Sequence, residues 1–375
     1  MSAPLPFDGL RVVAVEQAVS APFCTRQFAD LGAEVIKVER PDGGDFARGY
    51  DGALNGLSAY FAWLNRGKRS VVLDLKSDGG RERLRALVLT ADVFVHNLAP
   101  GAVERLGLGY DDLRGEVPRL VWVAISGFGP DGPYRDKKAY DMLVQAEAGV
   151  VAVTGTPDAP AKVGVSVADI ASGMYAYSSA LAALYRRERT GLGDRVDISM
   201  LECMTEWMMP PLYTFLGTGR APARSGLRHN MIVPYGAYPC ADGQVLFAVQ
   251  SDTEFRRFCE TVLQDPSLAD HDDYAVNAVR LAHREALEGR ITAVLGGLTV
   301  AEVVTRLERG GIANAVMNDV AAVAAHPQLA ARGRWTTVES PVGDIPALLP
   351  PHNLASVRPA MGRVPALGEL GGGGE

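Results

Sequence analysis

LRVVAVEQAVSAPFCTRQFADLGAEVIKVER, residues Leu10–Arg40, decides how the chain begins to fold. Leu10–Gln17 is an apolar run of strand length. The segment FCTRQFADLG has helical spacing and stops at Gly32, and Ala33–Arg40 is a second apolar run. That is a β-α-β opening. Such an opening invites a dinucleotide site, which needs a G-x-G-x-x-G turn so that backbone can approach a pyrophosphate. The turn here, EQAVSAPFC, holds no glycine, and none lies between Gly9 and Gly32.

Strands and helices keep alternating. RSVVLDLK, DVFVHNL and LVWVAISGFG read as strands, with DGGRERLRALVLTA a helix and PGAVERLGL a short one. Largely apolar strands alternating with helices point to a parallel sheet covered on both faces. The fold class expected is therefore α/β, a Rossmann-like large domain with a parallel sheet plus a smaller α+β domain. At 375 residues the chain exceeds one ordinary core. The large domain is expected over 1–205, completed by about 335–375. A linker rich in Gly, Pro and Arg follows at 206–232, then the small domain at 233–325 and a return segment at 326–375. The small domain opens with the hairpin YGAYPCADGQVLFAV, turning at Asp242-Gly243. Single helices are expected over VRLAHREALEGRITAVLGGL, TVAEVVTRLERGG (Thr299 as N-cap, Glu302 three residues on) and VAAVAAHPQLAARG. The tail GELGGGGE is expected to be disordered.

The chain is 47% hydrophobic and 22% charged, with a formal net charge of −7. That charge argues against nucleic acid as a partner. Four cysteines show no C-x-x-C spacing and six histidines no ligand spacing, so neither a metal site nor a disulfide scaffold is indicated. No apolar run reaches the roughly 20 residues that span a bilayer. The N-terminus has no signal-peptide pattern, so a cytoplasmic location is expected. Walker and G-x-S-x-G patterns are missing.

One carboxylate stands apart. In VSVADIASGMYA, Asp169 sits among small and apolar residues at the head of the longest helical pattern, Ile170–Thr190. From local sequence it reads first as a helix N-cap.

Several segments in order carry a family resemblance: the opening stretch through RPDGGD, LNRGKRSVVLDLK, VHNLAPGAVERLGLGYDDL, ISGFGPDGPY, YDMLVQAEAG, ADIASGMYA and PQLAARG. Together they resemble the class III CoA-transferases, the formyl-CoA transferase and carnitine CoA-transferase group of CaiB/BaiF type. The likeness runs from about Leu10 to Leu367. The end, PALGELGGGGE, departs from the family, in which LGEHT leads into a further helix.

The resemblance implies an enzyme that moves CoA from an acyl-CoA to a free carboxylic acid, built as two interlocked chains. It implies no permanent cofactor and no metal; the CoA thioester is a substrate. The family's catalytic aspartate falls on Asp169, whose apolar surround (Val165, Val167, Ala168, Ala171) would keep water from an acyl anhydride. Val19 and Ser20, in the turn after the first strand, fall where the acyl group meets backbone N–H groups. Arg40, Leu73, Lys76, Asn97, Arg105 and Lys138 match CoA contacts, with Lys137 competing for the place of Lys138. Relatives that racemise 2-methylacyl-CoA carry histidine near position 140. Here the pair is Tyr140-Asp141, and tyrosine is a poor base at neutral pH, which favours the transferase. A CoA-binding protein without turnover is the other alternative; the retained Asp169 argues against it. Arg228, His229 and Asn230 are candidates to address a second carboxylate, which suits a dicarboxylate acceptor. The glycine-rich substrate loop of formyl-CoA transferases has no counterpart, which argues against oxalate.

Overall fold

The computed structural model describes residues 3–371. The chain divides into two compact units. One gathers the chain up to Val150, Lys162–Pro210 and the chain from Gln328 on; the other holds Val151–Ala161 and Pro211–Pro327.

The first unit runs β1 (Arg11–Val15), α1 (Ser20–Asp30), β2 (Glu34–Glu39), α2 (Ala59–Asn65), β3 (Lys68–Val72), α3 (Asp78–Val88), β4 (Val93–His96), α4 (Tyr110–Leu113), β5 (Val121–Ser126), α5 (Asp141–Glu147), the first residue of α6 (Val150–Val153, whose remainder belongs to the second unit), α7 (Val167–Thr190) and β6 (Asp194–Ser199). Its six strands form one parallel sheet in the order β3-β2-β1-β4-β5-β6. Val13 pairs with Ile36 on one side and Phe94 on the other. All three are buried, as a strand covered on both faces requires. The order reverses between β1 and β4, and in such sheets ligands bind beyond the strand ends at that reversal.

α7 packs on α1, β5 and β6. It starts at Val167 with Ser166 at its N-cap, so Asp169 is not the cap; it is the third residue inside the first turn. The helix ends where expected, at Gly191, whose φ of 74° lets its N–H reach the Arg187 carbonyl at 2.8 Å. Trp335–Val338 and Ile345–Leu348 form an antiparallel hairpin. Val338, Ile345 and Val364 pack against Ala47, Leu57 and Phe61. The start of the glycine-rich tail is ordered: Gly368 N–H donates to Ser70 Oγ (3.0 Å) and Leu370 N–H to the Ser70 carbonyl (3.0 Å). The remainder of that tail, 372–375, lies outside the described residues.

The second unit has a three-stranded antiparallel sheet of β7 (Tyr235–Cys240), β8 (Gly243–Ala248) and β9 (Ala313–Ala315), with Asp242-Gly243 at the hairpin. Tyr238, Phe247 and Phe258 stack in its core with Leu287, Ile291, Val303 and Leu307. Thr299 and Glu302 form the capping box expected of them. Two helices differ from expectation. One breaks at His283, into Asn277–Ala282 and Arg284–Leu295. The other breaks before Pro327, which has no N–H to continue a helix. Residues 206–232, expected as a linker, hold the helix Met209–Thr218. Its Pro210 and Pro211 sit in the first turn, where a missing N–H costs nothing.

Candidate active site

The site begins where α7 meets α1. Gly173 has no room for a side chain: a Cβ there would lie 2.6 Å from the Ser20 carbonyl oxygen. One turn earlier, Ile170 packs against Val19, Phe23 and Leu64, with Trp63 beside them. Asp169 is thereby held next to the turn that follows β1.

What caps α7 comes from 28 residues upstream. Asp141, in the first turn of α5, accepts from Ala168 N–H at 2.8 Å and Asp169 N–H at 3.4 Å through Oδ1. Its other oxygen accepts from Gln145 Nε2 at 2.7 Å, and Gln145 Oε1 accepts from Val163 N–H at 2.9 Å. With the cap supplied across the chain, the Asp169 carboxyl is free of that duty. It has no cation partner among the described residues. Burial first, and the nearby Asp141 charge second, push its pKa up to about 7. The apolar surround is only partly as expected. Ala168 and Ala171 are buried and Val167 half-buried, but Val165 is 59% exposed in the isolated chain.

The β1–α1 turn lies beside the first turn of α7, where Ile170 packs against Val19. Asn97, expected as a CoA contact, spends its amide on the turn: Oδ1 accepts from Gln17 N–H (3.0 Å), and Nδ2 donates to the Gln17 carbonyl (2.8 Å) and Ser20 Oγ (3.2 Å). Val19 is the N-cap of α1 and has no side-chain acceptor to offer, so the helix's first N–H groups are left uncapped. Phe23, Trp63, Tyr60 and Tyr50 continue outward in ring-to-ring contact. Burial, then the charges of Asp45 and Asp169, raise the pKa of Tyr50. The Tyr140 side chain is 72% exposed and caps nothing.

Beyond β1–β3 lies a cavity of about 460 Å³. Arg40, Leu73 and Lys76 line it together, with Glu16, Gln17, Glu39 and Asp45. Arg40 donates to the Gly44 carbonyl (2.7 Å) and lies over the Phe46 ring. Arg105 and Lys138 do not line it; both are exposed. Lys137 is ion-paired with Glu147 and lies over Tyr134, whereas Lys138 has no hydrogen bond or ion pair among the described residues. Arg228, a candidate for a second carboxylate, is taken up by Glu288 at 3.3 Å, and Asn230 bonds Ser225.

A buried charge network under the cavity was not foreseen. Glu16 receives Lys68 Nζ (2.7 Å), Lys37 Nζ (3.4 Å) and Thr25 Oγ1 (2.6 Å). Lys37 also reaches Asp45 (2.7 Å), and Glu39 receives Arg48 (2.7 Å) and Ser70 Oγ (2.6 Å). The visible signal was Lys37 and Glu39 at period two inside a strand buried on both faces, where unpaired charge is costly. Cys24, Cys203 and Cys259 are buried free thiols whose pKa values burial raises, so none is poised as a nucleophile. No cluster of three metal-ligating side chains occurs among the described residues.

A doubly wound parallel sheet, a cavity beyond the ends of its strands and an uncompensated carboxylate beside a helix N-terminus define an α/β enzyme for a nucleotide-bearing ligand. The chain belongs to CoA-transferase family III, whose pattern it matches over residues 7–370, and is a class III CoA-transferase of the CaiB/BaiF type. It is similar to a succinate–glutarate CoA-transferase of Agrobacterium fabrum, 37% identical over 349 residues, covering 91% of this chain and 87% of that protein. An acetyl-CoA:oxalate CoA-transferase of Acetobacter aceti is also 37% identical, over 87% and 84%. A CaiB/BaiF family protein from Brucella suis of known structure superposes with a TM-score of 0.85 at 34% identity, covering 98% of each chain.

Proposed function

We propose that this enzyme moves CoA from succinyl-CoA to a small dicarboxylate of the glutarate class, with Asp169 as nucleophile. The observation that carries this is the carboxylate itself: half-buried, without a cation, and set against the uncapped start of α1.

The Asp169 carboxylate attacks the thioester carbonyl, and the C–S bond breaks to leave CoA thiolate and a mixed anhydride. The thiolate attacks the aspartyl carbonyl of that anhydride, releasing free succinate and forming an aspartyl-CoA thioester. The acceptor carboxylate then attacks this thioester and expels the thiolate, giving a second anhydride. Attack of the thiolate on the acceptor's acyl carbon yields the new acyl-CoA and restores Asp169. No proton or electron is gained or lost over the cycle. Each tetrahedral step develops an oxyanion, and the Val19 and Ser20 N–H groups, with the Tyr140 hydroxyl, are the donors assigned to it. Arg40, Leu73 and Lys76 hold the nucleotide end of CoA; Arg105 and Lys138 meet its phosphates; Asn97 shapes the turn between the two ends.

The dicarboxylate assignment draws on the relatives, whose names carry succinate, glutarate and oxalate. Oxalate is placed last because the glycine-rich substrate loop of formyl-CoA transferases has no counterpart here. The working form is a homodimer of interlocked chains in the cytoplasm. The exposed Tyr213, Phe215 and Leu216 of Met209–Thr218 support a covered surface there. Among the described residues no helix is long and apolar enough to cross a membrane.

The test is a panel of succinate, glutarate, mesaconate, citramalate and oxalate against succinyl-CoA, with hydroxylamine trapping during turnover. Glutarate-class acceptors are expected to lead, with a hydroxamate on the peptide carrying Asp169. A hydroxamate elsewhere, or transfer without any trapped adduct, sinks the reading.

A further inference from the structure

The turn beside the start of α7 holds a conformation alanine does not choose by itself. Ala18 has φ 62°, in the left-handed region where a Cβ crowds the backbone. Its N–H donates to Asp45 Oδ1 at 2.9 Å. Asp45 is itself fixed from three sides. Its Oδ2 accepts from Lys37 Nζ (2.7 Å), its Oδ1 also accepts from Ala47 N–H (2.9 Å), and its own N–H donates to Glu39 Oε2 (2.9 Å). Lys37 closes the brace by reaching back to the Glu16 carbonyl at 3.3 Å, two residues before Ala18. Asp45 is 4% exposed and Lys37 0%.

Asn97 bonds the flanking Gln17, but Asp45 bonds the strained residue itself. A bond from N–H to a carboxylate is stronger than one to a neutral oxygen, and burying a carboxylate is costly unless a cation pairs with it. Lys37 supplies that cation.

We propose that Asp45, locked by Lys37, is a positioning residue that holds Ala18 so that the Val19 and Ser20 N–H groups face the acyl carbonyl on Asp169. This rests on the acyl-transfer reading above. Asp45 acts through the backbone. Its removal tilts the donors without deleting them.

The experiment compares Asp45→Ala, Asp45→Asn, Ala18→Gly and the Ala18→Gly/Asp45→Ala pair in transfer from succinyl-CoA to glutarate, with rates per folded molecule from circular dichroism. Asp45→Ala is expected to lower kcat roughly 30- to 100-fold, with KM for succinyl-CoA within about threefold. Asp45→Asn keeps an oxygen for Ala18 but loses the ion pair, and should fall about 5- to 10-fold. Glycine adopts φ near 62° without strain, so Ala18→Gly should raise kcat of the Asp45→Ala protein at least about fivefold. A purely structural role for Asp45 gives glycine no such power. If Asp45→Ala does not fold, Asp45→Asn and its Ala18→Gly pair take its place. Unchanged kcat in the folded Asp45 variants, or no glycine rescue, overturns the positioning role. No transfer by the unmodified protein to any acid overturns the acyl-transfer reading and this one with it.

Discussion

Beneath the cavity at the ends of β1–β3, buried carboxylates are ringed by cations. At the first turn of α7, a half-buried carboxylate has none among the described residues. Burial alone would raise the pKa of Glu39, yet hydrogen bonds from Arg48 and the charges of Lys37 and Arg48 carry it down to about 2. Glu16 is likewise lowered, its burial outweighed by Lys68 and Lys37. Asp169 meets burial with a second carboxylate nearby and rises to about 7. Compensated carboxylates are fixed in charge and serve as framework. The uncompensated one keeps its lone pairs free and its charge poorly solvated, which suits a nucleophile.

Asp169→Asn breaks the comparison at its reactive end, and the largest effect is expected there. CoA transfer should fall at least about 10⁴-fold, with acyl-CoA binding by calorimetry within a few-fold of the parent. The same variant should be more stable at pH 8. A carboxyl whose folded pKa is raised stabilises the fold below its unfolded pKa and loses that contribution as pH climbs through about 7. The substitution removes that loss, so its thermal midpoint should exceed the parent's at pH 8 and match it near pH 4. A midpoint lower at both pH values would show that Asp169 is structural.

Glu16→Gln breaks the framework end. It leaves Lys68 buried without an ion-pair partner among the described residues and Lys37 paired with Asp45, a loss of about 3–5 kcal/mol by analogy with other broken buried pairs. Glu16 has a depressed pKa, so its contribution is present above the unfolded value and disappears as pH falls through the folded one. Denaturant midpoints should therefore separate parent and variant at pH 7 and draw them together in acid. Equal midpoints at pH 7 would mean the network contributes nothing to stability.

Asp141→Asn sharpens the contrast by changing the charge beside Asp169 while keeping an oxygen for the α7 N–H groups. The acid limb of kcat/KM should move to lower pH, because the raising charge is gone. It should stop short of the ordinary carboxylate range, because burial is the larger cause. Activity near pH 6 relative to the plateau is expected to rise roughly two- to fivefold. An unmoved limb would assign the pH dependence to another group.

The β-α-β framework was legible because buried parallel strands need unbroken apolar runs, and Val12–Val15 or Val93–Val95 have no other plausible reading. The site was legible in part. Asp169 was visible as a charge in an apolar run, but its local reading as a cap was overturned by an acceptor on another helix. Asp141 sits 28 residues away, and no rule of spacing connects a side chain to the start of a distant helix. Lys37, Glu39 and Lys68 were passed over because single charges in strands resemble strand-end solvated groups. Only the register of β1, β2 and β3 brings them under one cavity.

The same contrast separates two adjacent lysines, with the smallest effect. Lys137 is already compensated: Glu147 pairs with it, and the Tyr134 ring lies 4.3 Å from its ammonium. Lys138, exposed and unpaired among the described residues, has its whole charge available to a phosphate. Lys138→Ala should raise KM for succinyl-CoA about three- to fivefold at low salt and leave kcat unchanged, with the difference fading as ionic strength shortens the Debye length. Lys137→Ala should move KM less, because removing it from its pair frees Glu147 but costs no phosphate contact. A larger, salt-sensitive KM change in Lys137→Ala would reverse the two assignments and show that an ion pair seen without ligand opens when CoA arrives.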